Sequence, residues 1–259
     1  MAEIQVSHVR FCYGRQGQCF RALDDLSFQI QEGEFVCILG HSGCGKTTLL
    51  RLLSGLQPPT QGAVLLNGSP MEGPGTDRAV VFQNYALFPW MSARKNVQFG
   101  IQQAHPHLPK AQAQELAMEY LAKVDMTAAA EKYPYQLSGG MCQRVAIARA
   151  LAMDAEVLLL DEPFGALDAK IRAELQELLE QLWCGGEKRK TVVFVTHDIR
   201  EAVRLASRIL FMVPGKIAAD IPVELPRPRN HLDGEQRQRR KQLESRLLQL
   251  FYETEGVEA

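Results

Sequence analysis

Residues 40–48, Gly40-His41-Ser42-Gly43-Cys44-Gly45-Lys46-Thr47-Thr48, put three glycines, a lysine and two threonines where an apolar run gives way to a helical one. The spacing G-x-x-x-x-G-K-[ST] suits a polyphosphate. Glycine lets the backbone wrap phosphates with its N–H groups, Lys46 reaches the β- and γ-phosphates, and the Thr47 hydroxyl binds Mg²⁺. The open N–H groups and the dipole of the following helix add to the pull on an anion. A complementary pole lies in Val157-Leu158-Leu159-Leu160-Asp161-Glu162. Asp161, ending an apolar run, is suited to hold the magnesium through water, and Glu162 to orient and polarise an attacking water. Gln83 ends Val80-Val81-Phe82-Gln83 and His197 ends Val192-Val193-Phe194-Val195-Thr196-His197. A glutamine there touches the magnesium or the water, and a histidine hydrogen-bonds the γ-phosphate. Taken alone, each is better read as a strand terminus or a satisfied core histidine. The ordered set of four strand ends favours the chemical reading, because open α/β sheets bind ligands at that edge. A second anion seat, Leu137-Ser138-Gly139-Gly140-Met141, heads another helical run. Ser138 is placed to cap the helix from Met141 onward, whose apolar face passes through Val145, Ala148 and Leu151.

These groups need a scaffold, and the pattern supplies one. Val9, Phe11 and Tyr13, then Leu26, Phe28 and Ile30, then Val64 and Leu66 alternate with polar residues, the period of half-exposed antiparallel strands. Residues 35–40 form a continuous apolar run suited to a strand buried on both faces, and residues 46–55 a helix closed by Gly55. Strand, glycine turn and helix make the βα unit of a parallel sheet. Residues 79–83, 156–162, 191–197 and 208–213 are further buried-type runs. Residues 168–183 predict a helix with Ile171, Leu175, Leu178, Leu179 and Leu182 on one face and Gly185 and Gly186 at its end. Asp198 to Glu201 has the layout of a capping box. Residues 109–152 show no strand pattern: a Pro109-led helix carries Leu116, Tyr120, Leu121 and Val124 in register, a turn follows, and a second helix after that. They read as an inserted helical subdomain. Beyond Glu224, Leu243, Leu247, Leu248 and Phe251 recur at helical spacing, so an appended helix is expected to rest on the body. Its arginines read as a solvated face.

The totals are those of an ordinary globular α/β chain: 259 residues with 29 Lys+Arg against 30 Asp+Glu. A nucleic-acid binder held by bulk positive charge is disfavoured. Six cysteines (Cys12, Cys19, Cys37, Cys44, Cys142 and Cys184) include no CxxC pair and read as reduced thiols in a cytosolic protein. No run reaches the ~18 consecutive apolar residues of a membrane span. At a membrane, another chain is expected to hold this one in place.

The set resembles the ATP-binding-cassette ATPases over residues 3 to about 222. The motifs come in family order: the Walker A run, the Q-loop at Gln83, the signature at 137–141, Walker B with Asp161 and Glu162, the D-loop at 165–168 and the H-loop at His197. The resemblance implies a P-loop NTPase (RecA-like) α/β core with an N-terminal antiparallel β-subdomain and an inserted α-helical subdomain. Its expected boundaries are 1–88 with 153–222 for the core, 89–152 for the helical part and 223–259 for the extension. It implies an ATPase using Mg²⁺ with ATP, with Glu162, His197 and Gln83 catalytic, Thr47, Gln83 and Asp161 at the metal, and Gly40 to Thr48 around the phosphates. Tyr13 falls where the family stacks an aromatic on adenine, chosen over Phe11 and Phe20. It also answers why one chain has two anion seats. Two chains dock head to tail as a homodimer, so Ser138, Gly139 and Gly140 of one cap the γ-phosphate held by Lys46 of the other, with Asp168 in the D-loop. The commoner signature ends in glutamine where this sequence has Met141.

Residues 71–100, the signature and residues 158–175 look like the ATPase subunits of nitrate, taurine and aliphatic-sulfonate importers. Tyr85, Leu87, Phe88, Pro89 and Trp90 form an aromatic-rich segment where the resemblance implies docking of a transmembrane permease subunit; Leu87 and Phe88 read equally well as core. A separate extracytoplasmic solute-binding protein, a peripheral place on the cytoplasmic face of the inner membrane and no nucleic acid complete the expectation. Bicarbonate and vitamin precursors are alternative solutes. A soluble ATP-gated switch and a regulatory module without turnover are the other function classes.

Overall fold

The computed structural model of the chain describes residues 2–14, 19–165, 167–185, 189–229 and 232–255. In chain order the elements are β1 (Ile4–Tyr13), β2 (Phe20–Ile30), β3 (Phe35–Gly40), α1 (Lys46–Leu53), β4 (Gln61–Leu66), β5 (Ser69–Pro70), β6 (Arg78–Val81), α2 (Ala93–Ala104), α3 (Lys110–Lys123), α4 (Gly139–Ala152), β7 (Val157–Asp161), α5 (Ala169–Cys184), β8 (Thr191–Thr196), α6 (Ile199–Leu205), β9 (Arg208–Val213), β10 (Lys216–Pro222) and α7 (Gly234–Glu255). They gather into two compact units, Met1–Gly73 with Thr191–Ala259, and Pro74–Lys190.

In the first unit the alternating runs become an antiparallel sheet in the order β2-β1-β4-β5. Ile4 lies opposite Ile30 and Leu66, and Val6 opposite Phe28 and Val64. Ile4, Val6, Ile30 and Val64 are buried, so one face covers the core while the other meets solvent. The continuous run of β3 is buried at all positions because β3 is flanked by parallel partners, β8 and β9. β10 adds antiparallel to β9. No continuous apolar run marks it in the sequence, since its residues alternate between half-buried and exposed over most of its length. The glycine expected to close α1 does so: Gly55 takes φ 74°, and a Cβ on it would lie 2.1 Å from the Gly73 carbonyl oxygen.

Three expectations for this unit change. Cys12 and Cys19 form a disulfide, with Cα atoms 5.7 Å apart, so these two are not reduced thiols. The cause is hairpin register: Cys12 pairs with Arg21 and Tyr13 with Phe20, which brings Cys19 alongside Cys12. Cys37, Cys44, Cys142 and Cys184 are free. Asp198 does cap α6, accepting from Arg200 N and Glu201 N. Glu201, however, turns its carboxylate to the Thr196 hydroxyl at 2.8 Å, away from the reciprocal half of a capping box. In α7, Leu247 is fully buried and Leu248 is exposed, since adjacent helical residues point about 100° apart.

In the second unit β6 and β7 pair in parallel, Ala79 opposite Leu158 and Val81 opposite Leu160. α5 buries Leu175, Leu179 and Trp183, with Ile171, Leu178 and Leu182 half-buried beside them. Gly185 is its C-cap; Gly186 and Ala166 of the D-loop lie outside the described residues. The inserted stretch is helical. α2 starts under a Ser92 cap that accepts from Lys95 N. α3 buries Ala113, Ala117 and Leu121, followed by Val124, while Leu116 and Tyr120 are only half-buried. Small residues face inward where α3 packs against α2 and α4. Among the described residues no helix is long and apolar enough to cross a membrane.

Candidate active site

The loop of residues 40–45 is built on glycine, by backbone conformation at Gly43 and Gly45 and by close approach at Gly40 and Gly45. Gly43 and Gly45 take φ 83° and 108°, the left-handed region that costs glycine nothing. A Cβ on Gly40 would lie 2.1 Å from the Met212 carbonyl oxygen, and one on Gly45 would lie 2.7 Å from that of Ala22. The loop therefore rests directly on neighbouring backbone, and the Gly215 N–H adds a bond to the Cys44 carbonyl at 3.1 Å. Lys46 is buried and folds back on its own loop. Its Nζ donates to the carbonyls of Gly40 at 2.8 Å and His41 at 2.6 Å. Burial pushes the Cys44 thiol above its ordinary pKa, against the pull of Lys46, so it stands as a neutral packing group. Ser42, Gly43 and Thr47 are exposed. Thr48 is buried, its hydroxyl 3.1 Å from the Tyr13 hydroxyl, which also lies 3.5 Å from Arg51 Nη1. Tyr13 is half-buried, Phe11 is buried and Phe20 is 68% exposed. Tyr13 is tied to α1 through Thr48 and Arg51. His197 is exposed just beyond β8.

In the second unit Asp161 is buried at the end of β7, and Glu162 follows at φ 45°. A left-handed glutamate costs on the order of 1–3 kcal/mol and is the kind of strain that functional turns carry. Gln83 is exposed two residues past the end of β6. Ser138 caps α4, its Oγ accepting from Met141 N at 3.3 Å. The helix begins at Gly139, two residues before the expected start at Met141. Ser138 and Gly139 are exposed, and Val145, Ala148 and Leu151 are buried as expected. Asp168 is occupied as the N-cap of α5, with Oδ1 accepting from Lys170 N and Ile171 N.

Two residues that periodicity does not mark organise the segment after Gln83. Tyr85 and Ala86 are both left-handed, at φ 60° and 48°, and α4 holds them there. Arg149 Nη1 donates to the Ala86 carbonyl at 2.8 Å and Nη2 to the Tyr85 carbonyl at 3.3 Å. Burial lowers the pKa of this guanidinium from its ordinary value. Asn96, fully buried, accepts from Phe88 N and donates to the carbonyls of Phe88, Met91 and Ser92. Phe88 packs edge-on against Phe99, with ring centroids 4.9 Å apart. Leu87 is half-buried, and Trp90 remains 69% exposed. The sequence signal was present, an arginine within the apolar α4 run and an asparagine beside Val97, but it has no period.

The ABC transporter family model matches residues 23–165. The chain belongs to this family. As an ABC ATPase it is 51% identical over 213 residues, 80% of this chain and 77% of the other, to the nitrate import ATP-binding protein NrtD of Synechococcus elongatus. It is 50% identical to the bicarbonate transport ATP-binding protein CmpD of the same organism, over 82% of this chain and 76% of that one. A solved structure of the ATP-binding cassette MJ0796, a dimer in a post-hydrolysis state bound to ADP and Pi, is 34% identical. It covers 85% of this chain and 99% of its own, with TM-score 0.78. The ABC ATPase fold, a P-loop NTPase, accounts for the βα unit at β3–α1 and for the antiparallel β1, β2 and β4.

Proposed function

We propose that this ABC ATPase energises an importer of a small oxyanion, of the class of nitrate or bicarbonate, with taurine or an aliphatic sulfonate as the alternative. What carries the solute class is the ~50% identity to two proteins named for the import of nitrate and of bicarbonate, both planar oxyanions. The chemistry rests on the phosphate loop. Glycine-forced backbone N–H groups and the start of α1 bind the phosphates, and Lys46, released from Gly40 and His41, offers its ammonium to the β- and γ-oxygens. Mg²⁺ is a hard ion that keeps several waters and needs few protein oxygens. The exposed Thr47 hydroxyl and the Asp161 carboxylate fit that demand, with Gln83 as a third oxygen donor. When bound with ATP it neutralises charge on the phosphates. Glu162 orients the attacking water and takes its proton, and His197 hydrogen-bonds the γ-phosphate.

In this reading Ser138, Gly139 and Gly140 of one copy close on the nucleotide held by Lys46 of another, in a head-to-tail homodimer. The exposed cap at Ser138 and the dimeric state of MJ0796 support it. The segment from Gln83 to Trp90, tied to α4 by Arg149, transmits closure to transmembrane permease subunits, which hold the chain at the cytoplasmic face of the membrane. An extracytoplasmic solute-binding protein selects the solute. The functional partition is a core of 1–88 with 153–222, a helical part of 89–152 and an extension of 223–259.

Glu162→Gln tests the catalytic assignment. Steady-state hydrolysis should fall by about 10²- to 10⁴-fold, the worth of a positioned base, with ATP affinity unchanged by titration. Near-normal turnover removes Glu162 from its role. Thermal-shift screening of the system's binding protein against nitrate, bicarbonate and taurine tests the solute class; a response to none of the three overturns it.

A further inference from the structure

The last helical turn of the described chain touches the phosphate loop of its own unit. The His41 imidazole stands edge-on to the Phe251 ring of α7, with centroids 4.6 Å apart and planes at 73°. Its Nε2 lies 3.1 Å from the Phe251 carbonyl oxygen and 3.3 Å from Thr254 Oγ1. A carbonyl oxygen only accepts, so Nε2 carries the hydrogen there. Phe251 in turn packs edge-on against Phe211 of β9, at 5.1 Å. The Thr254 hydroxyl bonds back to its helix, 2.8 Å from the Leu250 carbonyl and 3.0 Å from that of Phe251.

The far end of α7 is fixed too. The chain leading to it is pinned by Arg229, a buried residue whose guanidinium donates to the carbonyls of Val203, Ala206, Val223 and Leu225. Leu247, one turn before Phe251, is fully buried. α7 is a mounted element.

The loop needs such a support. Its two ends are wedged against backbone, Gly40 on Met212 and Gly45 on Ala22. Between them Ser42 and Gly43 are exposed, and Gly43 adds glycine's backbone freedom. A nest of N–H groups binds phosphate more tightly the less ordering it must undergo on binding. His41 joins both sides of this problem: its ring is gripped by α7, and its carbonyl receives Lys46 at 2.6 Å.

We propose that α7 is a strut for the phosphate loop, with Phe251 and Thr254 acting as positioning residues for nucleotide binding through His41. The proposal rests on the reading of residues 40–48 as the seat of ATP.

The test is calorimetric titration of the full chain with ATP and Mg²⁺, alongside steady-state hydrolysis. Phe251→Ala should weaken ATP binding by roughly twofold to tenfold, the worth of an edge-to-face aromatic pair. KM should rise by a similar factor while kcat holds; a merely structural role would lower the active fraction and hence kcat. Phe251→Tyr, which keeps the ring, should restore affinity. In a His41→Ala background, Phe251→Ala should cost less than about twofold more, because the contact is already gone. Thr254→Val, which removes only the hydroxyl, should raise KM about twofold and carries the test if Phe251→Ala does not fold. Unchanged affinity in Phe251→Ala, or in Thr254→Val where the first is unfolded, overturns the strut, as do independent losses in the double variant. Lys46→Ala is measured in parallel. If it too leaves affinity unchanged, the loop is not the ATP seat and the underlying reading falls; if it alone weakens binding, only the strut falls.

Discussion

The phosphate loop and the Ser138 turn both present backbone N–H groups at the start of a helix, yet they are held in opposite ways. Around the loop, glycines lie against the carbonyls of Met212 and Ala22, Lys46 is buried, and the Gly215 N–H bonds Cys44. The Ser138 turn is exposed and carries its own cap, and its nearest neighbour at Gly139 is the end of a side chain, the Tyr85 hydroxyl. A seat that gathers several phosphate oxygens by itself has to be ordered in advance. One that supplies a few donors to a phosphate already bound elsewhere works from the surface.

Removing charge from the ordered seat should have the largest effect on binding. Lys46→Ala should weaken ATP affinity by roughly 10- to 100-fold, the worth of a charge-assisted bond, whereas Ser138 variants should leave single-chain affinity unchanged. Equal losses at both places, read by nucleotide titration, would break the contrast. Adding a methyl group separates the two seats by stability. Gly40→Ala drives a Cβ to 2.1 Å from a backbone oxygen and should destabilise by about 1–3 kcal/mol or more. Gly139→Ala meets a hydroxyl at 2.9 Å that can swing aside, and as a helical site it should stay within about 1 kcal/mol. Denaturant titration of both variants decides it. The brace of the second unit is tested by stability as well. Arg149→Ala strips the carbonyls of Tyr85 and Ala86 of their charged partner, at a cost of about 1–3 kcal/mol. For a chain of this size that is a fall of a few degrees in Tm, read by a thermal melt.

What the sequence made legible was local. The glycine spacing of residues 40–45, the unbroken apolar runs of β3, β7 and β8, and the Ser138 cap each lie within a few residues, and each forms as expected. The antiparallel strands were legible because a half-exposed strand writes its period into the chain. Features that depend on register or on distant partners were not. The Cys12–Cys19 bridge follows from hairpin pairing, and β10 hides because its exposure alternates without a continuous apolar run. Leu248 shares the spacing of Leu247 but not its direction. Arg149 and Asn96 spend their polar groups on carbonyls that no periodicity announces. His41 and Phe251 are far apart in sequence, and nothing at either position points to the other.

The central claim is that each ATP is enclosed by the loop of one copy and the Ser138 turn of another. Size-exclusion chromatography with light scattering, run in Mg²⁺ and ATP, tests it on a chain of 29.0 kDa. Glu162→Gln should elute at twice that mass, and the double variant Glu162→Gln with Ser138→Arg at the single mass while still binding ATP. A double variant that dimerises like Glu162→Gln, or a Glu162→Gln chain that stays single with nucleotide bound, would contradict the account.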